Sequence, residues 1–165
     1  MTAAVTLGFV HGCAVGQGFF KLKDVSAKNA MLKRGYFRSV LSLVGLAFCA
    51  SLRSGETTAN VLVMAFAVAI LSATLSSSLA FQFYQLPNMV TSGPDFLQHK
   101  ALSLAYLDGI GFFLAAPIWA VSGRVAQSLG WAITWSLLAI LVTAGATVMM
   151  LAVQPTLQTQ QQGTT

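Results

Sequence analysis

The sequence predicts an all-α integral membrane protein with about five transmembrane helices. Hydrophobic residues make up 56% of the 165 residues and charged residues only 8%, whereas an average soluble domain is roughly 25% charged. Long apolar runs recur along the chain, and they lack the strict alternation of a membrane β-strand. In lipid, such runs can satisfy their backbone polar groups only as helices. A soluble enzyme, a nucleic-acid-binding protein and a disordered chain are therefore poor fits.

Five apolar runs are long enough to cross about 30 Å of hydrocarbon at about 1.5 Å per residue. The first is glycine-rich, the second is short and the third is the clearest. A tight turn separates the last two, and Trp131 follows it as an interfacial anchor would. The predicted spans are residues 2–20, 36–52, 61–83, 101–121 and 131–153, followed by a polar disordered tail at 154–165.

Basic residues are concentrated in one connection, which sets the expected orientation. Six of the nine Lys and Arg residues lie in the segment 21–38, and such loops face the cytoplasm. We therefore expect a multi-pass protein in the lipid bilayer of an unspecified membrane, with loop 21–38 and the C-terminal tail cytoplasmic. The same clustering accounts for the pI of about 9.6 better than a nucleic-acid-binding surface does, so no nucleic acid is expected as a partner.

Asp108 is the strongest candidate for a functional side chain. It lies about seven residues inside the fourth predicted span, where a carboxylate costs several kcal/mol unless it is paired, hydrated or protonated. One interpretation is a proton, ion or substrate contact. The other is a carboxylate that bonds a neighbouring helix end near the inner headgroups.

The third span carries a polar stripe, since Thr74, Ser78, Gln82 and Gln85 recur at helical spacing. Such a face lines a cavity or forms a hydrogen-bonded seam between helices. The seam is favoured for Thr74 and Ser78, and the cavity for Gln82 and Gln85.

The first span contains Gly8, Gly12 and Gly16 at intervals of four, which predicts close helix packing. His11 lies beside this face and is interpreted as a hydrogen-bonded interior histidine or, less favourably, as a proton carrier. Gly109 and Gly111 predict close packing of the fourth helix. The candidates for a substrate pathway are thus Asp108, Gln82, Gln85 and His11, and those for helix packing are Gly8, Gly12, Gly16, Gly109 and Gly111.

Catalytic and metal-binding motifs are missing from the sequence, which has no HExxH, GxSxG, phosphate-binding loop or Cys/His metal spacing. We therefore expect no enzyme, no cofactor and no metal.

Residues 86–135 resemble the last three helices of the major facilitator superfamily. The resemblance rests on Pro87, the link 90–100, the glycines 109 and 111, and Gly130-Trp131. The string from Asp108 to Gly111 looks like the branch of sugar-phosphate/phosphate antiporters. If the resemblance is extended towards the N-terminus, residues 1–20 match the family's helix eight. The family's Gly-x-x-x-Asp-Arg-x-Gly-Arg-Arg pattern is not intact in the basic loop.

The resemblance implies a fragment or truncated copy of a secondary active transporter that moves a small solute across a membrane. Its partners would be the missing transporter half and that solute. The alternative is a small multi-pass subunit or assembly partner without transport of its own, which is supported by the glycine face at residues 8, 12 and 16 and by the near-absence of charge in the spans.

Overall fold

The part of the chain that the structure describes is almost entirely α-helical. The computed structural model describes residues 2–22, 24–52, 58–90 and 100–162. Within these ranges some side chains, including those of Gln85 and Asp108, are not described. The five helices are α1 (Thr2–Lys21), α2 (Val25–Ser51), α3 (Thr58–Val90), α4 (Lys100–Leu129) and α5 (Trp131–Gln162). Over these ranges the prediction of an all-α chain with five helices is confirmed.

The basic segment 21–38 is mostly helical, and its prediction as a loop was wrong. The side chain of Asp24 accepts hydrogen bonds from Ser26 N at 3.0 Å and Ala27 N at 3.2 Å, and so caps the first turn of α2. The residues that follow include Ala, Met, Leu, Lys and Arg, which are strong helix formers. Helix α1 ends at Lys21 and α2 begins at Val25, so Lys28, Lys33, Arg34 and Arg38 are carried by the N-terminal half of α2.

Helix α5 begins where the sequence predicts but ends later than predicted. Gly130 has a φ of 88°, and its N–H donates to the Ala126 carbonyl oxygen at 3.2 Å. This glycine ends α4 in the left-handed conformation, and α5 begins at Trp131 as predicted. The helix then runs to Gln162, through most of the segment expected to be a disordered tail, where several glutamines favour helix.

Two predicted connections lie mostly outside the described residues. Of the outer loop predicted at 53–60, residues 53–57 are not described and 58–60 belong to α3; of the link predicted at 90–100, which the transporter resemblance uses, residues 91–99 are not described.

Helix α3 packs mainly against α1 and α2 and touches α4 slightly. Helix α1 packs along α3, while α2 packs against both α3 and α5, and α4 packs mainly on α5. Phe19, Leu32 and Phe81 form a buried cluster where α1, α2 and α3 meet. The rings of Phe19 and Phe81 meet edge to face with centroids 5.6 Å apart, so this cluster holds the three helices together.

The outer surface of the helices is apolar. Each helix carries a large apolar side chain that is between 68% and 79% exposed, and examples are Leu7, Phe37, Val63, Phe113 and Leu151. The buried residues include polar ones, namely Ser39, Ser42, Ser78, Gln82 and Thr134. Among the described residues, two segments are long and apolar enough to cross a membrane: Val61–Gln82, with a mean hydropathy of 2.0, and Trp131–Val148, with 1.7.

Candidate functional site between the first three helices

Polar side chains of α3 contact α1 on one side and α2 on the other. Ser77 bonds α1 and Gln82 bonds α2. The two residues are five positions apart, which separates them by about 7.5 Å along the helix and about 140° around it. The polar groups therefore form two contacts at neighbouring levels of α3 and not one shared pocket.

The first contact joins α1 to α3. His11 Nδ1 lies 2.8 Å from Ser77 Oγ, and His11 is an exposed residue. Ser76 Oγ donates to the Val5 carbonyl oxygen at 2.8 Å. Short hydroxyl side chains reach across only because the two backbones lie close together.

Two glycines of α1 permit this close approach. A β-carbon at Gly8 would collide with the backbone carbonyl of Ala73. A β-carbon at Gly12 would collide with the carbonyl of Ser77 and lie 2.9 Å from the β-carbon of Ala80. The glycines thus bring His11 within hydrogen-bonding distance of Ser77.

The second contact joins α2 to α3 and is buried. Gln82 Nε2 donates to Ser39 Oγ at 3.1 Å, and the Ser39 hydroxyl donates to the Gly35 carbonyl oxygen at 3.2 Å. Gly35 again leaves room, since a β-carbon there would lie 3.2 Å from the ring of Phe81. The carboxamide, the hydroxyl and the carbonyl form one continuous series of donors and acceptors.

The predicted polar stripe of α3 is divided among different roles. Thr74 donates to the Ile70 carbonyl of its own helix at 2.9 Å, whereas Ser78 and Gln82 are buried. Gln82 lies in a seam between helices, although its position had favoured a cavity lining. The side chain of Gln85 is not among those that the structure describes.

The remaining predicted residues are spread over α1 and α4. Gly16 is buried. Asp108, Gly109 and Gly111 lie in α4, but the Asp108 side chain and the surroundings of Gly111 are not described. A β-carbon at Gly109 would meet no described atom within 4 Å, so a packing role for Gly109 requires a neighbour beyond the described residues.

Sequence reasoning missed the hydrogen-bond partners Ser39, Ser76 and Ser77. For Ser39 a signal was present. Ser39 and Ser42 lie on the face of α2 opposite Phe37 and Leu41, so two small polar residues and two large apolar ones are segregated around one helix. In a lipid environment the small polar face is the one expected to pack against other helices.

The chemistry of the site is that of neutral hydrogen-bonding groups. Among the described residues, no three His, Cys, Asp or Glu side chains lie together where they could hold a metal. Cys13 and Cys49 are both free thiols and half-buried.

No protein-family model, curated protein or solved structure matches the chain. The resemblance of residues 86–135 to the major facilitator superfamily therefore stays a prediction.

Proposed function

We propose that the chain is a multi-pass membrane protein and part of a secondary active transporter for a small solute. A gradient would supply the energy, because the sequence contains no nucleotide-binding motif. The resemblance at residues 86–135 suggests an organic anion or a phosphorylated sugar as the solute.

The distribution of side chains is the observation that carries the proposal. Large apolar residues are exposed along every helix, while Ser39 and Gln82 are buried and bonded to each other between helices. In water this arrangement would expose apolar surface and bury polar groups, which is unfavourable on both counts. In a bilayer both features are favourable, because lipid solvates the apolar side chains and the polar groups pair between helices.

The transport part of the proposal rests on the placement of polar residues. Secondary transporters commonly place their substrate site at the interface between two structural repeats, near the middle of the bilayer. Five helices supply part of one such half. In the complete transporter His11, Gln85 and Asp108 would line the pathway, and the bond of His11 to Ser77 would open as α1 and α3 move, while Gln82 holds α3 against α2.

A second candidate is a subunit that assembles with other membrane proteins. The exposed Gly109 on α4 favours it, because a glycine with open space beside it accepts a closely packed helix. The glycine face of α1 does not support this candidate, because α3 of the same chain already packs against Gly8 and Gly12.

The size of the native product separates the two candidates. An antibody against residues 154–165 should detect a band of roughly 45–55 kDa in membranes of the source cells if the chain belongs to a twelve-helix transporter. A membrane band near 17 kDa would instead favour the subunit.

Uptake by the full-length product tests the transporter directly. Vesicles loaded with phosphate would be assayed for uptake of labelled glucose 6-phosphate. Asp108→Asn should impair uptake with normal insertion, whereas Asp24→Asn should not, because asparagine caps a helix as well as aspartate does. Unchanged uptake by the Asp108 variant would show that this carboxylate has no role in transport. If the unmodified protein takes up no glucose 6-phosphate, phosphorylated sugars are excluded as the solute.

A further inference from the structure

Helix α2 has two opposite faces that differ in their neighbours. Leu32, Ser39, Leu43 and Leu46 are buried against the other helices. On the opposite side, Phe37, Leu41, Val44 and Phe48 are 52–68% exposed. Their spacings of four, three and four place these four residues in one line along the helix. We call this line the α2 stripe.

Three cations stand at the beginning of the α2 stripe. Lys33, Arg34 and Arg38 are all exposed. At about 100° per residue, Lys33 and Arg34 lie about 50° to either side of the stripe's mean direction. Two positive charges thus flank the start of the stripe and Arg38 lies along one edge.

These cations have no carboxylate partner on their own helix. The sequence of α2 contains neither Asp nor Glu. Asp24 is the only carboxylate among the side chains that the structure describes, and it is engaged with the first backbone N–H groups of α2. Lys33, Arg34 and Arg38 are therefore available to an anion that is not among the described residues.

We propose that the α2 stripe binds an anionic phospholipid. The phosphate of the headgroup contacts Lys33 and Arg34, with Arg38 beside them, and an acyl chain lies along the stripe from Phe37 to Phe48. These eleven steps cover about 16 Å, close to half of the roughly 30 Å hydrocarbon core. One lipid in one leaflet therefore matches the position of the charge and the length of the apolar line. The proposal rests on the membrane location proposed above.

Charge complementarity selects the lipid class. Each Lys or Arg close to an anionic leaflet raises the affinity of a protein for that leaflet by about fivefold. A zwitterionic lipid carries its own positive group and gains less from three cations. We therefore expect phosphatidylglycerol to bind in preference to phosphatidylcholine.

The test uses the full chain reconstituted in phosphatidylcholine vesicles that contain trace spin-labelled phosphatidylglycerol or phosphatidylcholine. The spectrum reports the fraction of each label immobilised on the protein. The unmodified chain should immobilise phosphatidylglycerol preferentially. Lys33→Gln and Arg34→Gln should each lower that preference by up to about fivefold, and the charge-retaining pair K33R/R34K should keep it.

A matched control removes the same charge elsewhere. Lys21→Gln combined with Arg124→Gln lowers the net charge as much as the double variant K33Q/R34Q, but both residues lie off the stripe. This control should retain the preference. Equal affinities for the two lipids in the unmodified chain, or an equal loss in the control, would overturn the lipid site and leave the membrane location intact. Failure of the unmodified chain to float with vesicles would overturn both.

Discussion

The carboxamide of Gln82 on α3 donates a 3.1 Å hydrogen bond to the hydroxyl of Ser39 on α2, and both side chains are buried. The bond crosses between helices, unlike the bonds that most described serines and threonines make to their own helix. Around it lie apolar residues, including Phe81, which has 4% exposure. A polar group left unpaired in such surroundings is costly, so this pair should fix the register of α2 against α3.

Breaking the Gln82–Ser39 pair should destabilise the folded chain. Ser39→Ala leaves the carboxamide without its acceptor, and we expect a loss of about 1–3 kcal/mol in the free energy of unfolding. The double variant with Gln82→Leu should recover part of that loss, because neither partner is then left unpaired. Denaturant unfolding in detergent measures all four members of this cycle.

A serine bonded within its own helix provides the control for this cycle. Ser128 Oγ donates to the Arg124 carbonyl oxygen in α4 at 2.9 Å and is exposed. Ser128→Ala should change the free energy of unfolding by no more than about 0.5 kcal/mol. If Ser39→Ala and Ser128→Ala had equal effects, the buried pair would have no special role.

Adding one methyl group to α1 should separate it from α3. At Gly12 a β-carbon meets the Ser77 carbonyl and the Ala80 side chain, whereas at Gly18 it meets nothing within 4 Å. Gly12→Ala should therefore destabilise the chain by about 1–3 kcal/mol, as overpacking does. Gly18→Ala should be neutral or stabilise by up to about 1 kcal/mol, because alanine is the better helix former. Thermal unfolding of the two variants gives the comparison, and similar melting temperatures would contradict the close α1–α3 contact.

The helices were predictable because each has a long apolar run, and the beginning of α5 at Trp131 follows from the preceding glycine. The beginning of α2 was missed for a specific reason. Its first turns are rich in Lys and Arg, which marks a membrane-flanking segment, but the same residues favour helix and Asp24 caps it. A charge pattern reports the position relative to a membrane and does not show where a helix begins.

The contacts of the candidate site were less predictable than the helices. Periodicity places Gln82 on a polar face but does not identify Ser39, which is 43 residues away, as its acceptor. The pairing of His11 with Ser77 likewise depends on how closely α1 approaches α3. Such proximity is a property of the packed helices and cannot be read from one helix alone.

The turn between α4 and α5 should depend on a single glycine. Gly130 has a φ of 88°, a conformation that costs other L-residues about 1–2 kcal/mol. Gly130→Ala should therefore destabilise the chain by about that amount. Gly123→Ala, at an open position inside α4, should not. Equal stability of the two variants in detergent would mean that the turn tolerates an ordinary residue.

Chemical labelling of two serine positions should test the proposed orientation. Ser26 is exposed at the start of α2 and Ser128 is exposed near the end of α4. The helices α2, α3 and α4 separate them, so three membrane crossings would place the two positions on opposite sides. Cys13→Ala and Cys49→Ala give a background without native thiols. In it, Ser128→Cys should react with an impermeant maleimide added to intact cells, and Ser26→Cys should react only after permeabilisation. The reverse pattern would invert the orientation, and reaction of both from the same side would contradict three crossings.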